Sequence, residues 1–323
     1  ESQRPCANLD YSAQRLMAAE KPPGGSIDNL HERAAGRSPA NLPDGVAGRS
    51  IARVIPGAIG GAAEPMGGRA DYATVYFHGQ PGSAQELALF GGAKRTDNWL
   101  VLDRAEALAE GAQPYLAELA QRASVFAAGR PLRLIGFSIG GSIALRVAAM
   151  LGSAVAAVDL VSTAAPSANG LFPEAMAGKP VFTLAAKHPR LFHLLTAGQG
   201  IVARVAPTFL TKQVFASAAG GDALLAADPQ FRRQIAPLLR DSLTRGSAVY
   251  RADVSSYATT HIDAYLDQIT SLTAPVTFWH GSMDNWAPIE MAAALAQRLP
   301  GATVHIEPGA SHYSTLAAFL AQV

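Results

Sequence analysis

Short apolar runs recur along the chain, each closed by glycine or proline, and most are followed by a longer stretch with helical spacing. Residues 74–77 (Thr-Val-Tyr-Phe) read as a buried strand that stops at the Gly- and Pro-containing segment 78–83. Residues 99–104 read as the next strand, and Leu132, Leu134 and Ile135, just after Pro131, as another. Residues 155–161, 274–281 and 302–307 continue the series, and 50–55 reads as an earlier strand ahead of a Gly-rich connection. Helices are predicted just after Ser83, over 105–110 and from 115 to 119, over the apolar, Ala-rich stretch 141–151, and over 289–299.

Two stretches depart from that alternation. Residues 1–45 read as an N-terminal extension: Leu9 to Glu20 forms a short helix, 21–25 (Lys-Pro-Pro-Gly-Gly) breaks it, and Ser26 caps a second helix through Arg37. The main domain is then 46–323. Within it, residues 166–265 carry helical patterns interrupted by Pro173, Pro180, Pro189, Pro207 and Pro229. Their apolar residues, Phe172, Phe182, Leu191, Phe192, Leu194, Leu195, Phe209, Leu210 and Phe215, are expected mostly to pack between those helices, the remainder lining a ligand pocket.

Candidate chemistry sits at the junction of the 132–135 strand and the 141–151 helix, where Gly136-Phe137-Ser138-Ile139-Gly140 forms G-x-S-x-G. A Ser at the tip of so tight a turn takes strained backbone angles, and the residues two before and two after it must lack a Cβ for strand and helix to approach. Gly136 and Gly140 meet that need. The turn aims the N–H of Ile139, the first of the new helix, at the reaction centre, where the helix dipole favours negative charge.

Sixty residues upstream, the 74–77 strand runs into His78-Gly79-Gln80-Pro81-Gly82-Ser83. The two motifs in this order resemble the α/β-hydrolase superfamily, whose H-G-x-P-G loop supplies a second oxyanion donor. The resemblance implies a mostly parallel central sheet flanked by helices, with residues 166–265 as an inserted helical lid. Pro81 has no N–H, so the backbone of Gln80 is the candidate donor beside Ile139. His78 and Gly79 are expected to brace the loop. The triad order Ser, acid, His points to Asp284, in the loop after the 274–281 strand, and to His312, in the loop after the 302–307 strand. Asp159 is the rival acid. His305 falls inside its strand, and His31, His188, His193 and His261 lie in segments without a family motif.

In the chemistry this resemblance implies, His312 takes the Ser138 proton, Asp284 orients the imidazole, and the Gln80 and Ile139 amides hold the oxyanion. The expected reaction is cleavage of a carboxylic ester, or of a thioester, lactone or amide, with a small-molecule acyl substrate and no cofactor. Acyl transfer is the alternative, followed by carbon–carbon bond hydrolysis or a lyase reaction, and last a non-catalytic ligand receptor. One departure from the family stands out: after Asp103-Arg104 the family continues into a Gly-rich loop, where this chain reads as helix.

Composition narrows the classes further. Net charge is +1, from 26 basic and 25 acidic residues without a concentrated basic run, which argues against a nucleic-acid partner. The lone Cys6 excludes an internal disulfide framework and a multi-cysteine zinc site, and no H-E-x-x-H or similar metal spacing occurs. No apolar stretch reaches the 18 or so residues of a transmembrane helix, so a soluble chain is expected. Arg outnumbers Lys 21 to 5, as in a GC-rich bacterial genome. The chain starts at Glu1, so cytoplasm, slightly favoured, and export are both compatible, and homo-oligomerisation is left open.

Overall fold

The computed structural model describes residues 72–90, 96, 98–109, 115–163, 166, 173 and 176–323. The expected extension over 1–45 and the early strand at 50–55 lie outside the described residues, as do Cys6, His31 and Phe172.

Six strands form one parallel sheet: β1 (Ala73–Phe77), β2 (Leu100–Val101), β3 (Leu132–Phe137), β4 (Val155–Val161), β5 (Val276–Gly281) and β6 (Thr303–Glu307). Their spatial order is β2-β1-β3-β4-β5-β6. Each described pairing is parallel, so the carboxyl ends of the strands share one edge of the sheet. Loops at that edge are where ligands bind in open α/β sheets. The central strands are mostly apolar because both faces are covered: every residue of β1 and β3 is buried, whereas β6 is the exposed edge.

Three helices follow the first strands: α1 (Arg104–Ala109), α2 (Tyr115–Ala127) and α3 (Ile139–Leu151). α3 is almost wholly buried, packing on β1, β3, β4 and α2. The strand expected over 99–104 stops at Val101. Asp103 ends it, because its carboxylate accepts a hydrogen bond from the Ala105 N–H at 2.9 Å and so starts α1, with Arg104 as the first helical residue.

Between β4 and β5 come α4 (Lys179–Lys187), α5 (Pro189–Val205), α6 (Pro207–Val214), α7 (Gly220–Ala227), α8 (Pro229–Leu243), α9 (Ser247–Thr259) and α10 (Ile262–Gln268). Pro180, Pro189, Pro207 and Pro229 each occupy the first turn of one of these helices. They start helices, where a missing N–H is harmless. Phe192, Leu210 and Phe215 are buried between the helices as expected, but Leu191, Leu194, Leu195 and Phe209 are exposed. On α5 the reason is register: one face carrying Phe192 already points inward, and the leucines lie on the other.

Two helices close the chain, α11 (Ile289–Ala296) and α12 (His312–Gln322), the latter packed on β5 and β4. No helix among the described residues is long and apolar enough to cross a membrane.

Candidate active site

Ser138 joins β3 to α3 at φ 54° and ψ −128°, the left-handed region that a side-chain-bearing residue occupies only under constraint. The constraint comes from three hydrogen bonds. The Ser138 N–H donates to the Val161 carbonyl (2.9 Å), the Gly141 N–H donates to the Ser138 carbonyl (3.0 Å), and the Thr163 hydroxyl donates to the same carbonyl (3.1 Å). The two glycines of the pentapeptide are required by close approach. A Cβ on Gly136 would run into the Gly141 backbone, and one on Gly140 into the carbonyls of Phe77 and His78.

Ile139 is the first residue of α3, so its N–H has no partner within the helix. Neither the Ile139 nor the Gln80 N–H donates to any acceptor among the described residues. Both residues line the same pocket as Ser138.

His312 opens α12 after the N-cap Ser311, and its Nδ1 lies 2.9 Å from Asp284 Oδ2. The other carboxylate oxygen of Asp284 accepts the N–H groups of Trp286 and Ala287, each at 2.9 Å. Burial by itself would raise the Asp284 carboxyl, but the charge and hydrogen bond of His312 outweigh it and hold the group below the ordinary carboxylate range. Burial likewise disfavours the His312 cation, yet Asp284 beside it raises the imidazole above its ordinary value. With Nδ1 facing the carboxylate, Nε2 is the nitrogen left for proton transfer.

The ring of Phe137, the neighbour of Ser138, lies 4.9 Å from the His312 ring, and Trp286 stacks on the imidazole at 6.1 Å. The Ser138 hydroxyl itself makes no hydrogen bond among the described residues. It lines the pocket, and no hydrogen bond joins it to His312.

His78 is buried, with Nδ1 2.8 Å from the Gly79 carbonyl oxygen, and burial and Arg104 keep its imidazole well below the usual value. It does not line the pocket. Gly79 donates its N–H to Glu86 at 3.0 Å. Asp159, the rival acid, is taken up by Arg133 (2.7 Å) and the Trp279 indole N–H (2.9 Å). His305 stacks on Trp279 at the sheet edge, 4.5 Å between ring centroids.

Four charged residues around the site went unread in the sequence. Arg104 is fully buried, pairs with Asp253 of α9 at 2.8 Å and donates to the His78 carbonyl at 2.7 Å. Asp253 also accepts the Gln80 side-chain amide at 2.9 Å, while the Ser242 hydroxyl donates to Gln80 Oε1 at 3.1 Å. Glu86 accepts the Tyr76 hydroxyl at 2.7 Å, and burial pushes its carboxyl up to about 7. Asp222 of α7 accepts the N–H groups of Tyr313 (3.0 Å) and Ser314 (2.7 Å), capping α12 where it carries His312. The signal present in the sequence was the Asp103-Arg104 departure; the counter-charge of Arg104, Asp253, lies 149 residues away and leaves no local pattern.

The pocket is a cavity of about 60 Å³, walled by Met176, Val181, Phe182, Tyr250, Tyr257 and Trp286. Chemically, then, a strained serine and two unengaged amides line a small apolar space at the carboxyl edge of a parallel sheet, and a carboxylate-bound imidazole packs against the ring of Phe137, the serine's neighbour. That combination defines an α/β protein of the strand-turn-helix, serine-bearing class. The family profile for the alpha/beta hydrolase fold matches residues 128–317, more than half the chain, and the chain belongs to that family.

Solved structures with this fold include a bromoperoxidase from Bacillus anthracis, 16% identical over 78% of this chain and 89% of that one, with a TM-score of 0.53. A thermophilic esterase from Thermogutta terrifontis is 17% identical over 78% of this chain and 87% of that chain, with a TM-score of 0.53. A carboxylesterase from Nitrososphaera gargenis is 18% identical over 79% of this chain and 92% of that chain, with a TM-score of 0.51. At such identities the likeness shows the fold. No curated protein matches the sequence.

Proposed function

We propose that the protein is a serine hydrolase that cleaves carboxylic esters through an acyl-serine intermediate. The observation that carries this reading is the strained Ser138 turn, set between two backbone N–H groups that have no acceptor of their own. In the reaction, the Ser138 hydroxyl turns to His312 Nε2, gives up its proton and attacks the ester carbonyl carbon. The tetrahedral oxyanion is held by the Gln80 and Ile139 amides, worth about 3 kcal/mol per donor in comparable sites. His312 returns the proton to the departing alcohol, and water, deprotonated by the same imidazole, releases the acid. Asp284 keeps the ring in the Nδ1–H tautomer and stabilises its cation.

Residues 46–323 are then the catalytic domain, with 166–265 its lid. Esterases among the structural neighbours are consistent with this chemistry. Acyl transfer to an alcohol or amine uses the same intermediate, and the apolar walls of the pocket, which keep water scarce, favour it as the second reading. An added acceptor that diverts product from the acid distinguishes the two.

A fluorophosphonate probe tests the proposal. It is expected to label Ser138, to lose the adduct in Ser138→Ala and to react weakly in His312→Ala. Folded protein that stays unlabelled would overturn it.

A further inference from the structure

α5 exposes a continuous apolar stripe. Leu191 (54% exposed), Leu194 (68%), Leu195 (38%), Ile201 (60%) and Val205 (76%) follow helical spacing, and Phe209 (55%) extends the patch onto α6. The stripe is distinct from the packing face, which Phe192, Thr196, Gly200 and Ala203 already fill. Leucines scattered over a surface need no explanation, but a row of them along one helix face does.

Charge says what such a face fits. Residues 175–221 contain no Asp or Glu but carry Lys179, Lys187, Arg190, Arg204 and Lys212. Over 175–247 there are nine Lys and Arg against three Asp, a net of +6; the rest of the chain holds 17 against 22, a net of −5. None of the three acids is free: Asp222 caps α12, Asp228 caps α8, and Asp241 pairs with Arg245 at 3.0 Å. Between α6 and α8 lies a groove of about 400 Å³ lined by Arg232, Arg233 and Arg240 together with Pro207, Thr208 and Thr211, without an acidic residue.

We infer that the outward face of α5, flanked by Arg190 and Arg204 in a segment without acidic residues, is a docking surface for an anionic lipid membrane. An amphipathic helix with cationic flanks lies in the plane of the headgroups, its apolar stripe in the acyl boundary and its Lys and Arg stems reaching to phosphates. At 17 residues α5 is too short to span a bilayer, which suits a surface position. A second copy of the chain suits the face less well, since pairing α5 with itself brings Arg190 and Arg204 against their own like.

The test is co-sedimentation of the full chain with phosphatidylglycerol–phosphatidylcholine vesicles and with pure phosphatidylcholine vesicles. Binding is expected to the first, weakening as salt rises, and at least tenfold weaker to the second. Leu194→Asp with Ile201→Asp is expected to abolish it, and replacing Arg190 and Arg204 by Ala to weaken it by roughly fivefold per arginine. Circular dichroism and thermal melting confirm that each variant is folded. Independently, a polarity-sensitive dye on Leu194→Cys, in a Cys6→Ser background, is expected to shift to the blue on anionic vesicles. The inference is overturned by absent binding, by variants that bind as well as the parent, by an unshifted dye, or by a dimer that Leu194→Asp dissociates while vesicles are ignored.

Discussion

The side-chain amide of Gln80 donates to Asp253 at 2.9 Å across 173 residues of sequence, and the same carboxylate oxygen receives Arg104. The loop that presents the Gln80 N–H is thereby fixed to α9, in the helical insertion, and to α1, in the core. Asp253→Asn keeps an acceptor for Gln80 but leaves the Arg104 guanidinium buried without a counter-charge. The expected cost is on the order of 3 kcal/mol in urea unfolding. If Gln80 holds the oxyanion as proposed, ester turnover is expected to fall with it, by roughly tenfold or more in kcat/KM, because an unpaired Arg104 relaxes and shifts the His78–Gln80 loop that it also holds.

The acid limb of kcat/KM is expected above the ordinary imidazole value of 6.5, since His312 must be neutral to accept the Ser138 proton and Asp284 raises it. Asp284→Asn removes the opposing charge, leaves burial dominant and is expected to move the limb downward. The linked stability has two signs. The His312 contribution is present below 6.5 and lost as pH rises through its raised folded value. The Asp284 contribution is present above the ordinary carboxylate value and lost as pH falls through its depressed one. A pH–rate profile of both proteins decides the matter.

Glu86 titrates near 7 when folded and at 4.5 when exposed, so the folded protein holds that proton more tightly. Its contribution to stability is therefore full below pH 4.5 and lost as pH rises to about 7. Relative to Glu86→Gln, which keeps an acceptor for the Gly79 N–H, the parent is expected to lose about 3 kcal/mol over that window. Denaturant titrations at its two ends measure the difference.

The cavity of about 60 Å³ beside Ser138 holds on the order of four or five water-sized groups. Acetyl and butyryl esters are expected to be cleaved in preference to octanoyl and longer ones. Phe182, which lines the pocket and contacts the Tyr257 ring at 5.1 Å, limits its length. Phe182→Ala is expected to raise kcat/KM for the longer esters by roughly tenfold relative to acetate. A chain-length series of aryl esters reports the change.

The features legible in the sequence are those fixed by local physics. Strands β3, β4 and β5 announce themselves as apolar runs bounded by Pro or Gly, and the need of the turn for glycine at 136 and 140 is a steric fact readable from spacing alone. The fold expectation rests on the resemblance of the 78–82 and 136–140 motifs to the α/β-hydrolase superfamily, and the family profile bears it out. Asp284 and His312 were placed at strand ends, and the structure puts their side chains in contact. What stayed hidden depends on pairing at a distance. Arg104, Asp253, Glu86 and Asp222 carry ordinary charges in ordinary helical contexts, and only the packing of α1, α7 and α9 around the loops buries them. The outward face of α5 was hidden for the complementary reason: its leucines match core residues in type, and composition does not say which side of a helix is already occupied.

α7 is stapled to the start of α12 by the buried carboxylate of Asp222, and α9 is stapled to α1 by that of Asp253. α4, the remaining wall of the pocket, meets α9 through rings such as Phe182 on Tyr257 and is anchored at its base by the Ala177 N–H to Asn285. Aromatic contacts slide at little cost, whereas a desolvated ion pair does not part easily. Opening α9 away from the core requires that ion pair to part, and amide exchange over Ser247–Thr259 is therefore expected to be slow, approaching the rate set by global unfolding.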